Sequence, residues 1–222
     1  VLDLSPAPVA DLVALGAAAA TTPRQLAEAS DIICSVVMND RQSLDLYLDE
    51  TDGILAGAAP GSLIVIHSTI SLETCRILAD AAAAKGVHLI DAAVSGAVSA
   101  SKAGTLTMIV GGDAEQVARA RPLFDVVGDK VFHMGGLGMG QAGKICNNLM
   151  CLVNVHVALE GLRLAAAAGI DAAAMTELAR VSSGQSWALE NLGQLEDLAR
   201  SHMAREPDMS IFGRKDISLA SK

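Results

Sequence analysis

Short apolar runs alternate with amphipathic stretches over roughly the first 135 residues, and a helical period then takes over. Segments 31–38, 61–67, 87–90, 105–110 and 131–133 read as buried strands, because each is continuously apolar and bounded by polar residues. Between them, 8–15, a segment opened by Thr22-Pro23, 41–48, 71–85 and 113–124 carry helical spacing, with Pro23 in a first turn and Gly86 at an end. Residues 1–4 read as the end of a strand and 17–20 as a brief one. Strands alternating with helices predict an α/β fold with a mostly parallel, doubly wound sheet. Beyond Gly140, 144–168 reads as one long helix ended by Gly169, followed by a helix capped by Asp171, another over 185–200, and the start of a fourth over 208–222. The change of period divides the chain into an α/β domain over 1–136 and an all-helical domain over 137–222.

Composition refines this picture. The 222 residues suffice for one large domain or two small ones, and with 51% hydrophobic but only 2% aromatic residues the core is built of Ala, Val, Leu, Ile and Met. A formal net charge of −9 with no basic block excludes nucleic acid as a partner, since neutralising phosphates needs a cationic patch. One local Lys or Arg can still receive an anionic substrate. Cys34, Cys75, Cys146 and Cys151 form no CxxC pair and lie in apolar runs, which predicts buried free thiols in a reducing compartment and no metal site. No uncharged apolar run reaches the ~18 residues of a spanning helix, so no membrane is expected. Val1 begins no signal sequence, and the cytoplasm follows as the expected location.

Candidate chemistry clusters at the ends of the strands. Asp3 either accepts the ribose hydroxyls of an adenosine, favouring NAD over NADP, or shapes the turn before Ser5-Pro6. Ser68 and Thr69 follow a buried strand and either offer hydroxyls to a cofactor or, with Ser71, cap the next helix; His67 reads as structural. Ser95-Gly96 offers a hydroxyl and backbone N–H groups that can hold a carboxylate, or makes an ordinary turn. Lys144 and Asn148 stand four apart in a helical segment at the domain junction, so they share one helix face. A Lys beside a nicotinamide can exchange a proton with a hydroxyl while an Asn orients either group, and the alternative is a surface Lys with a bridging Asn. Asn147 points about 100° away and reads as a packing or supporting residue. Lys102 and Lys215-Asp216 read as solvated charges.

Three stretches together resemble the β-hydroxyacid dehydrogenase family, which includes 3-hydroxyisobutyrate dehydrogenases and is related to 6-phosphogluconate dehydrogenase. They are Asp91-Ala-Ala-Val-Ser-Gly-Ala97 with Gly104-Thr-Leu-Thr-Met-Ile-Val-Gly-Gly112, Gly138-Met-Gly-Gln-Ala-Gly-Lys-Ile-Cys-Asn-Asn148, and Lys215-Asp216-Ile-Ser-Leu-Ala220. The resemblance implies a Rossmann-type domain, here without its first βα unit and glycine-rich fingerprint, followed by a helical substrate and oligomerisation domain. It implies that these residues belong to a longer polypeptide. It implies NAD as cofactor, with NADP less favoured, and a small carboxylate-bearing substrate such as 3-hydroxyisobutyrate, glycerate or an aldonate. It implies Lys144 as catalytic acid/base with Asn148 as its partner, and Ser95 and Gly96 at the substrate carboxylate. Asp3, Met38, Asn39, Thr69 and Lys215 would lie along the cofactor. A homodimer or homotetramer is implied as well.

The chain departs from the family pattern at Ala93, where Pro is usual, and at Ala97, where a second Gly is usual. Val37-Met38-Asn39 replaces the usual Met-Leu-Pro. Two other functions fit the same scaffold: a non-catalytic nucleotide-sensing protein, and an imine or aldehyde reductase.

Overall fold

The computed structural model describes residues 1–193 and 218–220. Contacts divide the chain into two units, Val1–Lys144 and Ile145–Lys222. In the first, five strands form one sheet in sequence order: β1 (Ile32–Ser35), β2 (Leu63–Ile66), β3 (His88–Ser95), β4 (Leu106–Gly111) and β5 (Gly128–Gly135). Eight helices belong wholly or in part to the unit. The first five are α1 (Pro6–Ala14), α2 (Pro23–Glu28), α3 (Asp40–Leu48), α4 (Ile54–Gly57) and α5 (Leu72–Ala83). They are followed by α6 (Ala97–Ala103), α7 (Ala114–Val127) and the start of α8 (Met139–Ala167).

Strand β2 shows how the sheet is held. Its side chains alternate between faces, as a pleated strand requires. Ile64 and Ile66 join a core of Ile33, Tyr47, Leu55, Ile70, Cys75 and Leu78, whereas Leu63 and Val65 join Ile90, Met108, Val110, Ala120 and Phe124. All four β2 residues are fully buried, which is why the strand reads as a continuous apolar run. Helices therefore cover both faces of the sheet, the doubly wound arrangement expected.

Strands β1, β2 and β3 pair in parallel, β3 and β4 antiparallel, and β4 and β5 in parallel again. The reversal has a cause in chain length. A parallel crossover needs a dozen or more residues, and only the short α6 joins β3 to β4. α6 was not legible, and β3 runs longer than expected. Asp91, expected just past the end of that strand, lies within it, paired with Ile66 on one side and Gly111 on the other. A carboxylate is tolerated there because backbone donors meet it.

Several local expectations are revised. Segments 1–4 and 17–20 form no strand, although the Val1 amino group bonds the Ala18 carbonyl and the Ala20 N–H bonds the Val1 carbonyl. Of the four cysteines only Cys75 is buried, its thiol pushed up to about 12, chiefly by burial. Cys34 is exposed on β1, the edge strand of the sheet among the described residues. Cys146 is exposed on α8 and Cys151 half-buried.

In the second unit, α8 continues from Ile145 and is followed by α9 (Ala172–Arg180) and α10 (Trp187–Glu190). Asp171 caps α9 as expected, its carboxylate accepting the Ala173 and Ala174 N–H groups at 3.0 Å. The helix expected over 185–200 is described only in part, and the one expected over 208–222 lies almost wholly outside the described residues. Glu160 and Arg163 interrupt the apolar run of α8, which kept it below the sequence criterion for a span. By length and composition, α8 is nonetheless long and apolar enough to cross a bilayer. It presents exposed Met150, Val153, Val157 and Leu164.

Two stability effects follow. His67 packs edge-on to Phe124, and its Nδ1 bonds the Ala92 carbonyl at 2.7 Å. Burial lowers its pKa, so the neutral ring is the folded form. The unfolded chain then takes up a proton that the folded chain resists. Stability is expected to fall as pH drops below about 6.5, and His67→Gln to flatten that slope, in urea titrations across pH. Ala97 holds φ +55°, the sole positive φ among the described non-glycine residues. Relieving it in Ala97→Gly is expected to raise stability by about 1 kcal/mol, read as a higher urea midpoint with unchanged slope.

Candidate active site

A helix start needs acceptors for its first N–H groups, and α8 begins at glycines that carry no side chain to supply them. Asp91 supplies them from β3. Its Oδ1 accepts the Gly138 N–H at 2.7 Å and its Oδ2 accepts the Gln141 N–H at 2.7 Å, so a distant carboxylate does the work of a local cap. Asp91 is fully buried, and burial pushes its carboxyl above the ordinary range, against the pull of N–H donors from Gly138, Gln141 and Gly140. The approach demands glycines. A Cβ on Gly111 would stand 2.6 Å from Asp91 Oδ1 and 2.6 Å from the Gly140 nitrogen, and one on Gly140 would stand 2.6 Å from Asp91 Oδ2.

Gln141 extends this anchorage to the segment after β2. The side chain is fully buried; Oε1 accepts the Ile70 N–H at 3.0 Å and Nε2 donates to the Ser68 carbonyl at 2.8 Å. Ser68 Oγ accepts the Val37 N–H at 2.7 Å, reaching the segment after β1. The ends of β1 and β2, the middle of β3 and the first turn of α8 thus form one hydrogen-bonded assembly. Sequence reading saw Asp91 only as a strand boundary and missed Gln141. The available signal was a polar residue set between apolar or glycine neighbours in each case.

The sequence-predicted residues fall around this assembly in different ways. Thr69 is half-buried between Ser68 and Ile70, the two residues whose backbones Gln141 holds. Lys144, half-buried, stands three residues beyond Gln141 on α8. Asn148 lies one turn further along that helix, in the second unit, and its Oδ1 accepts from Asn147 Nδ2 at 3.5 Å. Ser95 ends β3, opposite Thr107, and Gly96 follows with φ +128° at the start of α6, where a Cβ would collide with Ala100. Met38 is exposed; its N–H bonds Gln42 Oε1 at 2.8 Å. Asn39 caps α3, its Oδ1 accepting the Gln42 N–H at 2.9 Å. Asp3 accepts the Ser5 N–H at 2.7 Å and so shapes the turn before α1. Ser71 caps α5 through the Thr74 N–H at 3.1 Å, which leaves Ser68 to its structural bond. Lys215 and Asp216 lie outside the described residues.

The arrangement suits a flat, partly apolar cofactor at the strand ends. Val36 and Met38, just past β1, are 74% and 48% exposed, so apolar surface stands uncovered where the parallel strands finish. A cavity of about 350 Å³ beside α3 and α4, lined in part by Tyr47, Leu55, Ala81 and Lys85, contains none of the candidate residues.

Known proteins match both parts of the chain. Residues 1–136 match the NAD-binding domain of 6-phosphogluconate dehydrogenase, and residues 138–221 match the family described as the NAD-binding region of NADP-dependent 3-hydroxyisobutyrate dehydrogenase. An NAD-dependent L-serine dehydrogenase of Pseudomonas aeruginosa is 39% identical over the whole chain, which spans 76% of that protein. A 3-hydroxyisobutyrate dehydrogenase of the same organism is 43% identical over 85% of the chain, which here spans 63% of the relative. The crystal structure of a 3-hydroxyisobutyrate dehydrogenase from Salmonella typhimurium superposes with a TM-score of 0.80 at 30% identity, covering 99% of this chain and 75% of that one. The chain therefore belongs to the 3-hydroxyisobutyrate dehydrogenase-like family of NAD(P)-dependent oxidoreductases, related to 6-phosphogluconate dehydrogenase.

Proposed function

We propose that the protein interconverts a short β-hydroxy acid and its semialdehyde or keto acid, with Lys144 as general acid/base and NAD as the favoured cofactor. The observation that carries this reading is the tie from Asp91 and Gln141 to the Ser68–Ile70 segment, which fixes the part of α8 bearing Lys144 against the strand ends. In this reading the Ser95 hydroxyl and the Gly96 N–H hold the substrate carboxylate. Lys144 Nζ, as the neutral amine, takes the proton from the substrate hydroxyl, and as the ammonium returns it in the reverse direction. Asn148 orients the hydroxyl without adding charge. Nicotinamide, when bound, supplies or accepts the hydride.

Met38, Asn39 and Thr69 border the cofactor in this reading, Asp3 meets its ribose, and Lys215 is given a cofactor-binding role. Asp3 and Asn39 each keep one oxygen on a backbone N–H, so a cofactor would share these side chains with local structure. The substrate class includes serine, a β-hydroxy acid that the Pseudomonas relative is named for. The exposed apolar residues of α8 support a homodimer or homotetramer.

Lys144→Ala is expected to lower kcat/KM about 10²–10⁴-fold while calorimetry finds NAD affinity nearly unchanged; near-normal turnover would reject the mechanism. Among 3-hydroxyisobutyrate, L-serine, glycerate and threonate, assayed with each cofactor by nicotinamide absorbance, at least one is expected to turn over faster with NAD than with NADP. A general preference for NADP would remove the role given to Asp3.

A further inference from the structure

Gln141 is a neutral amide buried completely, in a place where an unbonded amide costs a few kcal/mol. Its main chain and its side chain are committed in different directions. The N–H is held by Asp91 of β3, while the side-chain amide bonds Ser68 and Ile70 after β2. Those two partners flank Thr69. Lys144 follows three residues later on the same helix, within one turn.

The chemistry of the pair of bonds selects Gln. The Ile70 N–H needs an acceptor and the Ser68 carbonyl needs a donor, and a terminal amide supplies both from one planar group. Glu would keep the acceptor but set an oxygen against the Ser68 carbonyl. Met would fill the volume and make neither bond. An Asn side chain is one methylene short. Because Ser68 Oγ also holds the Val37 N–H, this one amide sets the spacing of two strand-end segments from the helix start.

We infer that Gln141 is a positioning residue for proton transfer, holding the backbone on both sides of Thr69 in register with the turn of α8 that carries Lys144. This inference rests on the proposed role of Lys144. It differs from a purely stabilising role in what it predicts. A lost buried hydrogen bond lowers stability wherever it occurs, but only a positioning bond lowers turnover at saturation.

The test compares Gln141→Met with Tyr47→Phe and Lys144→Ala in the full chain. Tyr47→Phe deletes a buried bond, Tyr47 OH to Ser35 Oγ at 2.5 Å, that joins α3 to β1 outside the candidate site. In Gln141→Met, kcat at saturating substrate and NAD is expected to fall about 10- to 100-fold, since misplacement by about 1 Å can cost 10²-fold, while KM moves less than about threefold. In the cofactor-free protein, amide exchange at Ile70 should quicken at least about tenfold relative to Ile33. Tyr47→Phe should lose comparable stability with kcat held within about twofold.

An unchanged kcat in a Gln141→Met protein whose Ile70 amide exchanges fast overturns the positioning role. Unchanged Ile70 exchange overturns the bond itself. Should Gln141→Met fail to fold, Gln141→Glu keeps the Ile70 acceptor, and the same loss of kcat through the Ser68 bond alone is expected; an unchanged kcat there overturns the inference. Near-normal turnover of Lys144→Ala in the same assay would sink the reading of Lys144, while loss of kcat in Lys144→Ala but not in Gln141→Met would sink only the role of Gln141.

Discussion

A carboxylate buried in the middle of a strand is costly unless donors surround it, and the first unit is organised around meeting that requirement at Asp91. The donors come from the start of α8, whose own N–H groups need acceptors. Each side solves the other's problem. A helix N-terminus favours negative charge, so the field at the start of α8 acts in the same direction as the hydrogen bonds. Removing the carboxylate would strand several buried N–H groups, whereas removing the helix start would strand a charge. The arrangement explains why Gly111 and Gly140 stand at the contact: the carboxylate can reach the helix only where no Cβ intervenes.

The sheet order makes this meeting possible. Strand β3 continues through Ser95 past the level at which β2 ends, since Ile66 pairs with Asp91. Strand β4 runs back from Thr107, opposite Ser95, to Gly111, opposite Asp91. Because β5 is parallel to β4, it too finishes at that level, with Gly135 beside Gly111. The chain then needs only Gly136, Leu137 and Gly138 to begin α8 at the carboxylate. Had all five strands been parallel, β5 would have ended toward Ser95, away from Asp91.

Much of the fold was legible in the sequence because the strands are uniformly apolar and the helices carry recognisable ends. Thr22, Ser71, Asp113 and Asp171 all accept N–H groups at helix starts. Short elements were missed: α4 and α6 have too few turns to show a period. The true extent of β3 was hidden because a charged residue normally ends a buried strand, and Asp91 does not. Position after a strand pointed to Thr69, and spacing and the family motif pointed to Lys144, but no local pattern could reveal what joins them. The Gln141 bonds span more than 70 residues of sequence, and only tertiary structure brings their partners together. Asp3 and Asn39 show the opposite case, in which the side chain serves its own turn or helix cap and the local reading is sufficient for that bond.

The anchoring of α8 makes the chain unequally tolerant of length changes on the two sides of Gln141. Before it, the Gly136-Leu137 link between the end of β5 and the Asp91-bound Gly138 can absorb an added residue by changing the path of a loop, since a glycine backbone accepts many conformations. After it, the helix is continuous and each residue turns the chain by about 100°. One residue gained or lost between Gln141 and Lys144 would leave every anchor in place and swing the ammonium about a quarter of the way round the helix. The count of residues in that interval is therefore as much a part of the candidate site as the identity of the side chains at its ends.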